Sequence, residues 1–404
     1  MMFLCMVFKS NVKVKLFLRI LKWAALSVTG TLIVGFLYIY FIFFGRPANI
    51  SKLDDVHDKE WYTVPFKGNT MCSDGSEFVI FVRKGPSKNF LIHFSGGGAS
   101  WDSTTYRQPI SLMSALDGDS KDLKSFYFPS LFKLFPKALG GLVDNEDPKN
   151  AFRDWNMIFI PNCTGDMHIG NNISAYSFND EQYKIHHNGR NNSLAALAWV
   201  FANFKTADKI LVSGESSGAW GSAFWTPYIA DHYANEKIYQ LSDGALLTSD
   251  RWKEILDTVW KSESADFLGF KIGKDVFEDA LIHRTDSASR RIKYLHSNTL
   301  YDDVLTKFGA ALNHQPTNSN KFIDEWSENT QASMNRLRLS GIDYNYFISD
   351  WGHDTVRHTT QHTITTNEFY HNQKADGISY AEWLKRNVID DEKLSLGEKL
   401  LRKN

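Results

Sequence analysis

The sequence predicts an α/β fold, a mainly parallel sheet flanked by helices and preceded by one N-terminal transmembrane helix, and two patterns carry that prediction. Short apolar runs of four to six residues, rich in aromatic and β-branched types, alternate with longer mixed stretches that can form helices. Ahead of them, residues 23–45 contain no charge and are long enough to cross a hydrocarbon core as a helix. Composition agrees, since 43% hydrophobic and 14% aromatic content in 404 residues supplies one large core. Lys and Arg number 45 against 46 Asp and Glu, for a formal net charge of −1. That balance lacks the basic excess that phosphate neutralisation needs, so nucleic acid is not an expected partner. Three Cys in this length exclude a disulfide scaffold, and the apolar content excludes disorder.

Residues 1–22 form a basic tail with Lys9, Lys13, Lys15, Arg19 and Lys22 and no acid, which leaves 40 basic residues against 46 acidic ones in the remainder. The span that follows, WAALSVTGTLIVGFLYIYFIFFG, reads as a membrane anchor, because a core helix of that length would show a polar face. A cleaved signal peptide fits less well, its apolar run being about 7 to 15 residues. Basic residues before the span and Asp54, Asp55 and Asp58 after it predict a cytoplasmic N-terminus and an extracytoplasmic bulk, in the periplasm, cell exterior or lumen. Cys5 then falls inside the cell, and Cys72 and Cys163 either pair or pack as two buried thiols. Residues 46–60 are a polar linker, 61–390 one domain, and 391–404 a charged tail expected to fray as a helix. Strands are predicted at 78–83 (FVIFVR), 90–94 (FLIHF), 155–160 (WNMIFI), 210–213 (ILVS), 238–241 (IYQL) and 344–348 (YNYFI). Gly, Asn or Asp follow several of them, where an open parallel sheet places its ligand site.

The sharpest local signal is Gly214-Glu215-Ser216-Ser217-Gly218, between the strand ILVS and an apolar segment suited to a helix. A turn that lifts a Ser hydroxyl above a strand end crowds the positions two residues either side, so both must be small, and Ser216 alone has Gly at both. The pattern is a G-x-S-x-G nucleophile elbow in its required context. A second loop, His93 to Ser100, leaves a strand and ends in three glycines and Ala99. Acyl transfer places negative charge on the carbonyl oxygen, and fixed backbone amides stabilise it. The expected donors are the amides of Gly98, Ala99 and Ser217. A serine needs a base, which needs an orienting carboxylate, and the chain order on such a scaffold is Ser, acid, His. The histidines after the last predicted strand are His353, His358, His362 and His371. Their run suggests a metal, but no H-E-x-x-H or similar spacing accompanies it, so neither metal nor cofactor is expected.

The order of CSDGS (72–76), IHFSGGGAS, NAFRDWNMIFIPNCTGD (150–166), SGESSGAW and QLSDGALL resembles the pectin acetylesterase family of α/β-hydrolases, which has bacterial members and Notum-like carboxylesterase relatives, over nearly all of residues 65–390. Its most telling piece is the segment from Pro161 to Gly170, similar to a family stretch with Asn162 in place of tyrosine. Two departures count against pectin itself as substrate: Ala99 replaces the family's tryptophan, and most cysteines of plant and animal members are absent. The resemblance points to Asp302, in NTLYD, as the acid, with Asp303 and Asp324 as alternatives. It points to His362 as the base, with His358 next. Asp243 and His168 are expected to support the site by hydrogen bonding.

These readings imply a membrane-anchored serine esterase that removes an acyl group, O-acetyl by expectation, from an extracytoplasmic glycan or related hydroxyl. A deacylase or lipase for longer chains is the alternative, suggested by aromatic residues at 125–136 and 223–228. A binding protein that kept the fold without turnover is the rival from another class.

Overall fold

The computed structural model describes residues 17–37, 47–110, 125–131, 136, 139–178, 181–284, 287–316 and 319–401. The chain divides into two units, the N-terminal segment and the globular domain, each described by itself. In the first, the helix Phe17–Leu37 is 21 residues long and apolar enough to cross a membrane. It starts six residues before the uncharged run and includes Arg19 and Lys22. Helix formation is indifferent to charge at its ends, and long basic side chains can reach the headgroups from the first turns. The basic tail at 1–16 and the span's residues 38–45 lie outside the described residues.

Eight strands build one sheet in the domain: β1 (Trp61–Pro65), β2 (Val79–Arg83), β3 (Phe90–Phe94), β4 (Asn156–Ile160), β7 (Lys209–Glu215), β8 (Lys237–Asp243), β9 (Ile292–Thr299) and β10 (Tyr344–Ser349). They lie in the order β1-β2-β4-β3-β7-β8-β9-β10. The pairs from β4 to β10 are all parallel, and β1 and β2 add an antiparallel edge. A separate hairpin joins β5 (Asn172–Phe178) to β6 (Glu181–His187). Strands buried on both faces read as continuous apolar runs, which is why β2, β3, β4, β7, β8 and β10 coincide with the predicted runs.

β9 was not predicted. All eight of its residues are buried, yet Lys293, His296, Ser297 and Asn298 break its apolar pattern. Each of the first three has a specific partner: Lys293 Nζ donates to the carbonyls of Asn387 and Glu392, His296 Nδ1 meets the Tyr344 hydroxyl at 2.7 Å, and Ser297 bonds Asp243. Lys209 Nζ donates to the carbonyls of Val388 and Ile389 at 2.9 and 2.7 Å. Two cations thus gather at the C-terminal end of the last long helix, Tyr380–Val388, where the macrodipole favours them.

The helix Ser217–His232 packs its apolar side chains across β7 and β8, with Trp220 and Trp225 fully buried. Emptying either site would cost ~3–5 kcal/mol, the usual range for a buried aromatic. Among the described residues of the tail, a helix forms at Glu398–Leu401, and Leu396 runs alongside β10, exchanging backbone hydrogen bonds with Tyr346 and Ile348. Of the two thiol readings, the structure takes the pair: Cys72 and Cys163 form a disulfide across 91 positions of sequence. Closing a loop of that length contributes about 4–5 kcal/mol in the chain-entropy account.

Candidate active site

The elbow forms where β7 ends. Ser216 has φ 53° and ψ −130°, a conformation that L-residues avoid, and its N–H donates to the Asp243 carbonyl at 2.8 Å. The crowding argued from the sequence is visible at both glycines. A Cβ on Gly214 would lie 2.0 Å from the Gly218 carbonyl oxygen, and one on Gly218 would lie 2.0 Å from that of Phe94. Ser216 itself is half-buried, at the N-terminus of the helix Ser217–His232.

Glu215 ties this elbow to the glycine loop. One carboxylate oxygen accepts the Gly96 N–H at 2.8 Å and the other meets His93 Nε2 at 2.5 Å. His93 Nδ1 is 2.8 Å from the Ser213 hydroxyl. The loop's other end is held by Trp260 Nε1, which donates to the Ser100 carbonyl at 2.8 Å.

The expected amide donors divide. The Ala99 N–H donates to the Phe126 carbonyl at 2.8 Å, so Ala99 is corrected: its amide already has a partner. The cause is a bridge between Gly98 and Tyr127, a contact across 29 positions that local sequence does not announce. Among the described residues, no protein acceptor takes the N–H of Gly98 or of Ser217.

Asp302 caps the helix Asp303–Leu312, accepting the Val304 and Leu305 amides at 3.0 and 2.8 Å, and is fully buried. Both of its oxygens also face His362 Nδ1, at 2.9 and 2.8 Å. Backbone bonds from Asp303 N–H to the Thr360 carbonyl and from Thr360 N–H to that of Tyr301 set the histidine loop against this turn. His362 Nε2 is buried and has no hydrogen-bond partner among the described residues. Burial disfavours the imidazolium, but the Asp302 charge and hydrogen bond, with more distant Asp243 and Glu215, outweigh it and hold the pKa above its ordinary 6.5.

The alternative residues have other partners. Asp303 pairs with Lys307 at 2.9 Å, and Asp324 with His358 at 2.7 Å. His353 lies 3.3 Å from His358, and His371 pairs with Asp147. Among the described residues no group of three or more His, Cys, Asp or Glu is placed to hold a metal ion.

Asp243 joins the two halves of the site. Its backbone carbonyl holds the Ser216 amide, while its carboxylate accepts the amides of Ile364 and Thr365 at 2.6 and 2.7 Å and the Ser297 hydroxyl at 2.7 Å. Burial raises its pKa, against which those hydrogen bonds pull. The next residue, Gly244, packs on the His362 ring: a Cβ there would stand 3.5 Å from His362 Cε1. Tyr380, bonded to Thr365 at 2.8 Å, braces the same loop. His168 Nε2 donates to the Ser95 carbonyl at 3.0 Å, and burial lowers its pKa to about 4, so it serves as a neutral strut under the glycine loop. A cavity of about 420 Å³ opens beside His362, between Trp351, Arg357 and Phe369.

The pectinacetylesterase family matches residues 57–251, which contain the glycine loop and the elbow and end before Asp302 and His362. No curated protein matches the sequence. Two crystal forms of the Wnt deacylase Notum from Drosophila share the fold with a TM-score of 0.54. Their identities are 16% and 15%, over 81% and 82% of this chain and 92% and 94% of theirs. Residues 57–251 are thus similar to the pectinacetylesterase family, the chain has an α/β-hydrolase fold, and the two together support a carboxylester hydrolase.

Proposed function

We propose that the protein is a serine esterase that removes a short acyl group, O-acetyl by preference, from a glycan or related hydroxyl outside the cytoplasm. The observation that carries this reading is the state of His362: Nδ1 is engaged by Asp302, which fixes the proton there and leaves Nε2 as a base, beside the Asp243–Gly244 corner that holds Ser216. Ser216 Oγ attacks the ester carbonyl as His362 Nε2 takes its proton. The oxyanion of the tetrahedral intermediate accepts from the Gly98 and Ser217 amides. His362 then returns the proton to the departing alkoxide, which leaves as the alcohol and yields the acyl-Ser216 enzyme. Water, activated by the same nitrogen, releases the acid.

The longer-chain reading drew on aromatic residues at 125–136 and 223–228; of these Phe126, Tyr127, Phe224 and Trp225 are core and Tyr228 is exposed. A panel of p-nitrophenyl esters tests the choice. Acetate should give the highest kcat/KM, and a maximum at eight carbons or more would transfer the reading to a lipid deacylase.

The helix Phe17–Leu37 would anchor the domain with residues 1–16 in the cytoplasm, by the one-sided Lys and Arg distribution. A buried disulfide suits an oxidising compartment outside the cytoplasm. Protease added to sealed cells should digest the domain, and full protection with an intact membrane would reverse the orientation.

A further inference from the structure

We infer that Asn162 is a positioning residue that sets the spacing of the two oxyanion-binding amides, an assignment that rests on the esterase reading above. Asn162 lies just beyond β4 and is 4% exposed. Its side-chain nitrogen donates to the Ser217 hydroxyl at 2.8 Å and to the Gly98 carbonyl at 3.3 Å. Gly98 and Ser217 are far apart in sequence, on the glycine loop and on the first turn of the elbow helix. They are also the two residues whose amides remain open once Ala99 is bonded to Phe126.

The bridge is itself held from the glycine loop and from its own loop. The Asn162 N–H donates to Ser95 Oγ at 3.0 Å, and its Oδ1 accepts from the Thr164 N–H at 3.3 Å. The Gly98 carbonyl can only accept and the Thr164 amide can only donate, which fixes the end of the side chain that is nitrogen. One planar amide therefore spans the gap between the two donor-bearing elements, with both of its N–H bonds directed. Oxyanion stabilisation depends on donors aimed before the reaction starts, and a displacement of about 1 Å can cost 10²-fold in rate. Asn162 touches no reacting atom, so its effect passes through Gly98 and Ser217.

The test uses the full-length protein with p-nitrophenyl acetate and compares Asn162→Asp, Asn162→Ala, Ser217→Ala and Ser216→Ala with wild type. Asn162→Asp keeps the volume and loses both donors. It should lower kcat about 10- to 100-fold with KM nearly unchanged, and weaken a trifluoromethyl ketone that mimics the tetrahedral intermediate by the same factor. Asn162→Gln, which keeps the amide one methylene farther out, should recover part of the loss. Ser217→Ala removes one anchor and should lower kcat a few-fold, and the double variant with Asn162→Ala should be no worse than Asn162→Ala alone. Wild-type kcat in Asn162→Asp, or a loss confined to KM with inhibitor affinity intact, overturns the assignment. Should the Asn162 variants fail to fold, Ser217→Ala decides it by the same kcat and inhibitor readings. Wild-type activity in Ser216→Ala would instead overturn the esterase reading itself.

Discussion

Ser216→Ala should lower kcat on p-nitrophenyl acetate by about 10⁴- to 10⁶-fold, the range expected when an enzyme loses its nucleophile, while Ser217→Ala keeps a readily measured activity. The two serines are adjacent and differ by one oxygen atom from their replacements, so the contrast isolates position. Ser216 has the strained φ of 53° at the apex, and Ala occupies that backbone no more easily than Ser does, so the fold loses little extra. Ser217 Oγ faces Asn162, and the role proposed for Ser217 in the reaction is carried by its backbone amide, which alanine retains. A fluorophosphonate should label wild type and Ser217→Ala and leave Ser216→Ala unlabelled. Equal activity in the two variants would place the nucleophile elsewhere.

The elbow was legible because its constraint is local: two glycines, a strand before and a helix after all follow from one tight turn. The same holds for the strands with unbroken apolar runs. β9 was not legible, because a buried strand whose polar side chains meet remote partners reads as a mixed segment. That loss propagated, since the turn after β9 carries Asp302, and the residues alone left several acids and four histidines open. Family resemblance singled out Asp302 and His362, and in the structure the other candidates are bonded elsewhere. Ala99 failed as a donor, and Asn162 went unnoticed as a bridge, for one reason: each is defined by a contact between segments distant in sequence. Asp243 is the intermediate case, where a buried carboxylate after a strand suggested support but not which loop it would hold.

Asp302→Asn should lower the plateau of kcat about 10³- to 10⁴-fold and move the acid limb of kcat/KM to lower pH, and the two effects have one cause. On the proposed mechanism hydrolysis needs His362 with a free Nε2, so activity should fall as pH drops through the pKa of that ring. Because the Asp302 charge and hydrogen bond overcome burial, the wild-type midpoint should lie above 6.5. Asparagine removes the charge that stabilises the imidazolium and leaves burial opposed only by Asp243 and Glu215, so the pKa must fall and the limb follows it. The neutral side chain also stops enforcing the Nδ1–H tautomer, which lowers the fraction of rings with a basic Nε2 at every pH. His362→Ala should lose more than Asp302→Asn, with kcat falling far more than KM, because the proposed proton carrier itself is gone. His358→Ala should stay near wild type, since that ring pairs with Asp324. An acid limb that stays in place in Asp302→Asn, or a collapse of activity in His358→Ala with His362→Ala active, would assign the base to another histidine while leaving Ser216 as the nucleophile.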